Sequence, residues 1–245
     1  MTGQERALFL RGMTLDWDAV PDDSWLRGVE AVASVSELTF HQPVTFFVGE
    51  NGSGKSTLLE AIAVAAGFNP EGGSRNYRFS TYDSHSGLHD AVRLIRSSRR
   101  ESWGWFFRAE SFYNVATAEE FYSRGPGGNP QHYHERSHGE SFLTLMRETF
   151  SGDGLFLLDE PEAALSPQRQ LTVLLEIARC AAAGAQFLIA THSPILLGLP
   201  DAEILSFDGG RIHGCAYEDT ESYRVTEMFI RRRGQILRQL LDETD

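Results

Sequence analysis

Apolar positions along the chain fall into short runs separated by turn-forming stretches. Residues 7 to 17 (ALFLRGMTLDW) and 38 to 48 (LTFHQPVTFFV) are apolar or alternating and rich in β-branched and aromatic residues, which predicts strands in both, joined by a long acidic loop. The second run leads into GENGSGKST at 49 to 57 and then LLEAIAVAAGF, a helix that stops at Gly67 and Asn69-Pro70. From 71 to 136 the pattern turns polar and irregular, with a helix near 88 to 99, a strand at Trp103 to Phe107 and a glycine-proline cluster at 125 to 130. Periodicity then returns: a helix from about 140, the strand LFLLDE at 155 to 160, a helix from about 167 to 183, the strand QFLIATH at 186 to 192 and a β-pair around Gly209-Gly210. Strands alternating with helices predict an α/β fold with a largely parallel central sheet covered on both faces. The chain reads as one domain over 1–245, with 1–70 and 140–245 forming the core and about 71–139 a small helical, irregular lobe.

Composition narrows the class. With 245 residues, 41% hydrophobic and 23% charged, the chain can bury a sizeable core. It has no apolar run of membrane-spanning length, and the start MTGQERALFLRGM lacks the cationic and apolar pattern of a secretory signal, so a cytoplasmic location is expected. Cys180 and Cys215 show no ligand spacing and read as buried thiols. A net charge of −12 opposes autonomous nucleic-acid binding. Arg231, Arg232 and Arg233 sit in a helical pattern at 221 to 241 and read as a solvated face. The chain has a single lysine, Lys55, inside the glycine loop, where a compact ammonium suits phosphate better than a guanidinium fork.

Gly49, Gly54, Lys55 and Ser56 fit glycine, four residues, glycine, lysine, then serine or threonine, between a strand and a helix. In such a loop the backbone N–H groups from Gly49 through Asn51, Gly52, Ser53, Gly54 and Thr57 can surround a β-phosphate, helped by the positive end of the helix. Lys55 would reach the β- and γ-phosphates, and the Ser56 hydroxyl would ligate magnesium. LFLLDEPE at 155 to 162 places two carboxylates at the end of a buried strand. Asp159 would hold the magnesium, directly or through water, and Glu160 would act as general base on the attacking water.

SHGES at 137 to 141 precedes the acidic strand at the spacing of the signature sequence of ABC-class ATPases, and with the two preceding motifs the chain resembles that class. Ser137, Gly139 and Glu140 match, whereas His138 stands where transporters usually have glycine. The resemblance implies a P-loop NTPase of the ABC type, with an antiparallel β portion, ATP and Mg2+ as ligands, and a head-to-tail dimer in which Ser137 and Gly139 bind the γ-phosphate held by the other protomer. Ala164-Leu165-Ser166-Pro167 is similar to the D-loop, and His192 in ATHSP to the switch histidine. Together FFRAESFYNVA, SHGESF, LLDEPEAALSPQRQ and QFLIATHSPILL resemble small stand-alone bacterial ATPases of this class, of the AAA family kind. The transporter Q-loop glutamine has no clear equivalent. FFRAES offers Arg108 and Glu110 at its place, with Glu110 the candidate to sense magnesium or water, and Phe40 and Trp17 are the aromatics that could stack on adenine.

Three cellular roles are compatible with these motifs: a cytosolic regulatory or motor ATPase working with a protein effector in genome maintenance or phage defence, the nucleotide-binding subunit of a transporter, or an ATP-sensing switch with little turnover. The first is preferred because SHGES and DEPEAALSP read closer to the repair and condensation branch than to importers.

Overall fold

A computed structural model describes residues 8–75, 86–109 and 138–242. Six strands form a mixed sheet in the order β5 (Trp103–Arg108), β6 (Gly154–Asp159), β7 (Gln186–Ala190), β3 (Val44–Val48), β8 (Glu203–Ser206) and β9 (His213–Gly214). The first five run parallel, and β9 returns antiparallel against β8. A second, antiparallel sheet has the order β2 (Glu37–Thr39), β1 (Leu10–Leu15) and β4 (Val92–Arg96). The expected α/β architecture is therefore present, a largely parallel sheet with an antiparallel portion beside it.

Every residue of β3, β6 and β7 is buried, as continuous apolar runs require in a sheet covered on both faces. Successive side chains point to opposite faces, so each strand supplies two cores. Phe47, Leu157, Leu188 and Phe106 pack with Leu58, Leu59 and Ile62 of helix α2 (Lys55–Ala65), which lies between the two sheets against Phe9 and Met13. Phe46, Phe156, Leu158, Phe187 and Ile189 face the other way, against α3 (His138–Thr149) and α4 (Pro167–Ala183). Gln186 links the sheets: its side chain accepts from the Leu10 N–H at 2.9 Å and donates to the Leu10 carbonyl at 2.8 Å. Ser166 caps α4 by accepting from the Arg169 N–H, Pro167 opens the helix, and Gly184 closes it with a left-handed φ of 114°.

Two local expectations are corrected. The stretch 38 to 48 is two strands in different sheets, since Pro43 offers no N–H to a ladder and the chain turns there between β2 and β3. The helix expected near 88 to 99 is a 3-10 turn at Gly87–Ala91 followed by β4. Pairing of Val92, Leu94 and Ile95 along the free edge of β1 overrides the local helical pattern. Thus β4 and β5 each complete a sheet, although their surroundings in the sequence read as part of the middle lobe. The C-terminal pattern does form a helix, Glu221–Asp242, in which Arg231, Arg232 and Arg233 are exposed. Cys180 is buried as expected and Cys215 is half-buried, and burial raises the pKa of both thiols.

Candidate functional site

Parallel strands bring their carboxyl ends to one edge, and an open α/β sheet offers its ligand crevice there. At that edge β3 runs into the glycine loop, β5 ends on Arg108, β6 on Asp159 and Glu160, and β7 runs into Thr191 and His192, while Asp208 lies two residues beyond β8. Motifs more than 100 residues apart in the sequence are therefore neighbours.

The loop from Gly49 to Gly54 needs its glycines. Gly49, Gly52 and Gly54 have φ of 142°, 81° and 97°, conformations that side chains disfavour. At Gly54 a Cβ would also lie 2.5 Å from Val32 Cγ2 and 2.6 Å from Val29 Cγ1, because α1 (Glu30–Ala33) presses against the loop. Gly54 delivers the chain into α2, whose first N–H groups have no intrahelical acceptors. Lys55 is buried, and its ammonium donates to the Gly49 carbonyl at 2.7 Å and the Glu50 carbonyl at 2.8 Å. Burial lowers its pKa below the usual 10.5, while Glu160, Asp208, Asp159 and Glu162 pull it part of the way back. Two of its three donors are used in these contacts, which leaves one for a ligand. Asn51 and Gly52 are exposed at the loop tip. Ser53 presents a buried hydroxyl without a hydrogen-bond partner among the described residues.

Ser56 and Thr57 lie in the first turn of α2, and the Ser56 hydroxyl donates to Asp159 Oδ1 at 2.8 Å. The other Asp159 oxygen is 3.7 Å from Arg108 Nε. Arg108 also pairs with Glu60 and donates to the Pro70 carbonyl at 3.2 Å. Glu60 is one helical turn after Ser56, so the same face of α2 presents a hydroxyl and then a carboxylate to the end of the sheet.

Glu160 adopts a left-handed φ of 49°, a conformation that costs about 1–3 kcal/mol in a residue with a side chain and persists only where the surroundings enforce it. Its N–H donates to the Ala190 carbonyl at 2.9 Å, fixing the turn against β7. This places Glu160 Oε1 3.9 Å from His192 Nε2, beyond hydrogen-bond reach but close enough for a water to engage both. Among the described residues His192 Nε2 has no hydrogen-bond partner, and neither has Glu162 Oε2. The second Glu162 oxygen accepts from the His192 N–H at 2.6 Å and so anchors the histidine loop.

Farther along the same surface, Arg169 connects two of the expected residues. Its N–H donates to Ser166 Oγ at 3.4 Å and its guanidinium pairs with Glu140 at 3.1 Å. Gly139 lies in the first turn of α3 beside Glu140. Gln170 joins the Leu165 carbonyl, at 3.1 Å, to Ser193 Oγ, at 2.6 Å, so the 164–167 turn is tied to the residue after His192. Ser137 and Glu110 lie outside the described residues. Of the two aromatic candidates, Phe40 is buried in the core 6.5 Å from the Phe47 ring, and the Trp17 indole N–H donates to the Val35 carbonyl under Arg27.

Sequence reading missed Asp208. Its Oδ1 accepts from the Glu50 N–H at 2.9 Å and its Oδ2 from Ser206 Oγ at 3.2 Å, which holds the entrance of the glycine loop to β8. The only sign was an acid before Gly209-Gly210 at a strand end. Glu60 and Gln170 were equally silent, since each acts through partners far away in the sequence.

The residues present fit a nucleotide with magnesium. Unpaired donors and turn glycines suit phosphate oxygens. One hydroxyl and one carboxylate suit a cation that keeps several waters and takes its remaining ligands from phosphate.

Two family models match the chain, one described as "AAA domain" over residues 26–120 and one as "AAA domain, putative AbiEii toxin, Type IV TA system" over residues 128–198. No curated protein sequence matches it. Among solved structures it is similar to the SMC head domain from Thermotoga maritima, at 18% identity and a TM-score of 0.46 over 85% of this chain and 98% of that one. It is also similar to an ATP-binding cassette of an ABC transporter, at 17% identity and a TM-score of 0.44 over 87% and 94% of the two chains.

Proposed function

We propose that the protein binds ATP with magnesium and hydrolyses it to ADP and phosphate. The observation that carries this reading is the 2.8 Å contact between Ser56 Oγ and Asp159 Oδ1, which joins the residue after the loop lysine to the first of two strand-end carboxylates. The two AAA-domain matches support the same chemistry. Gly49 through Thr57 would surround the phosphates, with Lys55 on the β- and γ-groups, and Ser56 and Asp159 would hold the cation. Bound magnesium would offset negative charge on the phosphate oxygens. Glu160 would accept a proton from the attacking water, and His192, 3.9 Å away, would orient that water or the terminal phosphate. Glu160→Gln should lower turnover by about 10²–10⁴-fold while retaining ATP binding. Lys55→Ala should lose binding, and wild-type affinity in that variant would overturn the assignment of the loop.

ATP would also drive two copies together head to tail, with Ser137, Gly139, Glu140 and Ser166 of each facing the nucleotide of the other. The Arg169 bridge between Ser166 and Glu140 supports this, because it makes one unit of the surfaces that would cross the interface. Ser137→Arg should leave binding by the single protomer intact and prevent the ATP-dependent dimer in light scattering. A dimer that forms normally would refute the arrangement.

The cellular role we favour is a cytoplasmic regulatory or motor ATPase acting with a protein effector in genome maintenance or phage defence, a reading supported by the toxin-system description of the second family model. No helix among the described residues is long and apolar enough to cross a membrane. Mass spectrometry of what co-purifies with Glu160→Gln, compared with Lys55→Ala, tests the role. A soluble effector held only by the former supports it, and an integral membrane partner would replace it with transport.

A further inference from the structure

Arg108 faces two carboxylates with different positions in the site. Asp159 accepts from Ser56 on one oxygen and has Arg108 Nε 3.7 Å from the other. Glu60 pairs with Arg108 through Oε2, while its Oε1 accepts from the Ser86 N–H at 3.0 Å and Ser86 Oγ at 3.3 Å. Glu60 is 6% exposed and Asp159 7%. A guanidinium can be shared between two such acids because its donors form a rigid fork, and a small rotation moves its charge from one to the other. A divalent cation at Ser56 and Asp159 would repel Arg108 and leave Glu60 as the carboxylate able to keep it.

We propose that Arg108 is a positioning residue that competes with the divalent cation for Asp159 and is withdrawn onto Glu60 when the cation binds. Without a cation the pair of acids is partly neutralised, so the crevice resists loading metal alone. Nucleotide phosphates, by adding negative charge and further ligands, tip the exchange toward the metal. Metal occupancy is thereby transmitted to the end of β5, since Arg108 is that strand's last residue and the chain continues from it towards 110. The inference rests on the nucleotide-and-metal reading of this site.

Opposite shifts in two variants test it. Binding of Mn2+ alone, followed by the electron paramagnetic resonance of the free ion, should be on the order of tenfold tighter in Arg108→Gln, because one positive charge at ion-pair distance is gone. Glu60→Gln should weaken it, since Asp159 is then the one of the two carboxylates left to Arg108. In the double variant, which leaves neither ion unpaired, affinity should match Arg108→Gln. A purely structural role for the pair would disturb both single variants in the same direction, and unchanged or weaker Mn2+ binding in folded Arg108→Gln and in the double variant would overturn the proposal. A fluorescent ATP analogue measured in chelator separates the two readings. If the wild type binds it while Mn2+ affinity ignores Arg108, only this inference fails, whereas no nucleotide binding by the wild type would remove the reading beneath it.

Discussion

Ser56 Oγ and Asp159 Oδ1, 103 residues apart in the sequence, meet at 2.8 Å and join the first turn of α2 to the end of β6. The contact brings together the one hydroxyl and the one carboxylate proposed to hold a small divalent cation. Ser56→Ala should therefore raise the magnesium concentration for half-maximal hydrolysis by about tenfold or more, as expected for loss of a ligand aligned by its neighbour. Nucleotide binding in chelator should be unaffected. A magnesium titration that superimposes on the wild type would show that the cation sits elsewhere.

Lys55 gives a side-chain pH signature of its own, because the chain has a single lysine and the α-amino group titrates separately, at about 8. Burial lowers its folded-state pKa below 10.5. Between the lowered value and 10.5 the unfolded chain holds a proton that the folded chain has released, so raising the pH through that window stabilises the fold. Below it, the buried charge costs stability. Dimethylated with carbon-13, Lys55 should give one resonance that titrates below 10.5, and ATP should move the midpoint upward because phosphate charge favours the ammonium. A midpoint at or above 10.5 without nucleotide would contradict the buried placement.

Much of this edge was legible because its chemistry is local. Glycine spacing between a strand and a helix, or an apolar run ending in Asp159-Glu160, needs nothing beyond its own neighbours. Arg108 was noticed only as a substitute for a missing glutamine, and its pairing with Glu60 depends on β5 lying beside β6, which no short window contains. β4 was read as helix for the same reason: Leu94 and Ile95 are strand residues only because β1 offers them an edge. Phe40 looked available for adenine until the core between the two sheets claimed it beside Phe47.

Asp208 separates two effects that usually travel together. As the acceptor for the Glu50 N–H it shapes the glycine loop, and as a carboxylate near Lys55 it adds negative charge to the site proposed for phosphate. Asp208→Ala removes both. A hydrogen bond to a charged group contributes about 1.5–3 kcal/mol, so if the loop depends on it, ATP affinity should fall by about 10- to 100-fold. Asp208→Asn keeps an acceptor and removes the charge, and should bind ATP as tightly as the wild type or more tightly. Equal losses in the two variants by isothermal titration would mean that charge, not the hydrogen bond, is what the loop requires.

Gln186 is the test of how the two sheets are joined. It is 1% exposed and makes both hydrogen bonds that the Leu10 peptide groups offer on that side. Gln186→Leu is close in volume and apolar, so packing is largely kept. What it changes is the Leu10 N–H and carbonyl, two buried groups left without these partners, each costing about 1–3 kcal/mol. For a chain of this size each kcal/mol lowers Tm by about 2–4 °C, so a drop of several degrees is expected in calorimetry. Gln186→Glu should be destabilised as well, because one carboxylate oxygen can still accept from the N–H while the other faces the Leu10 carbonyl with no hydrogen to donate unless protonated. Its deficit should shrink as the pH falls, since protonation restores the missing donor, whereas that of Gln186→Leu should not change with pH. Parallel pH profiles for the two would show that water, and not Gln186, satisfies Leu10.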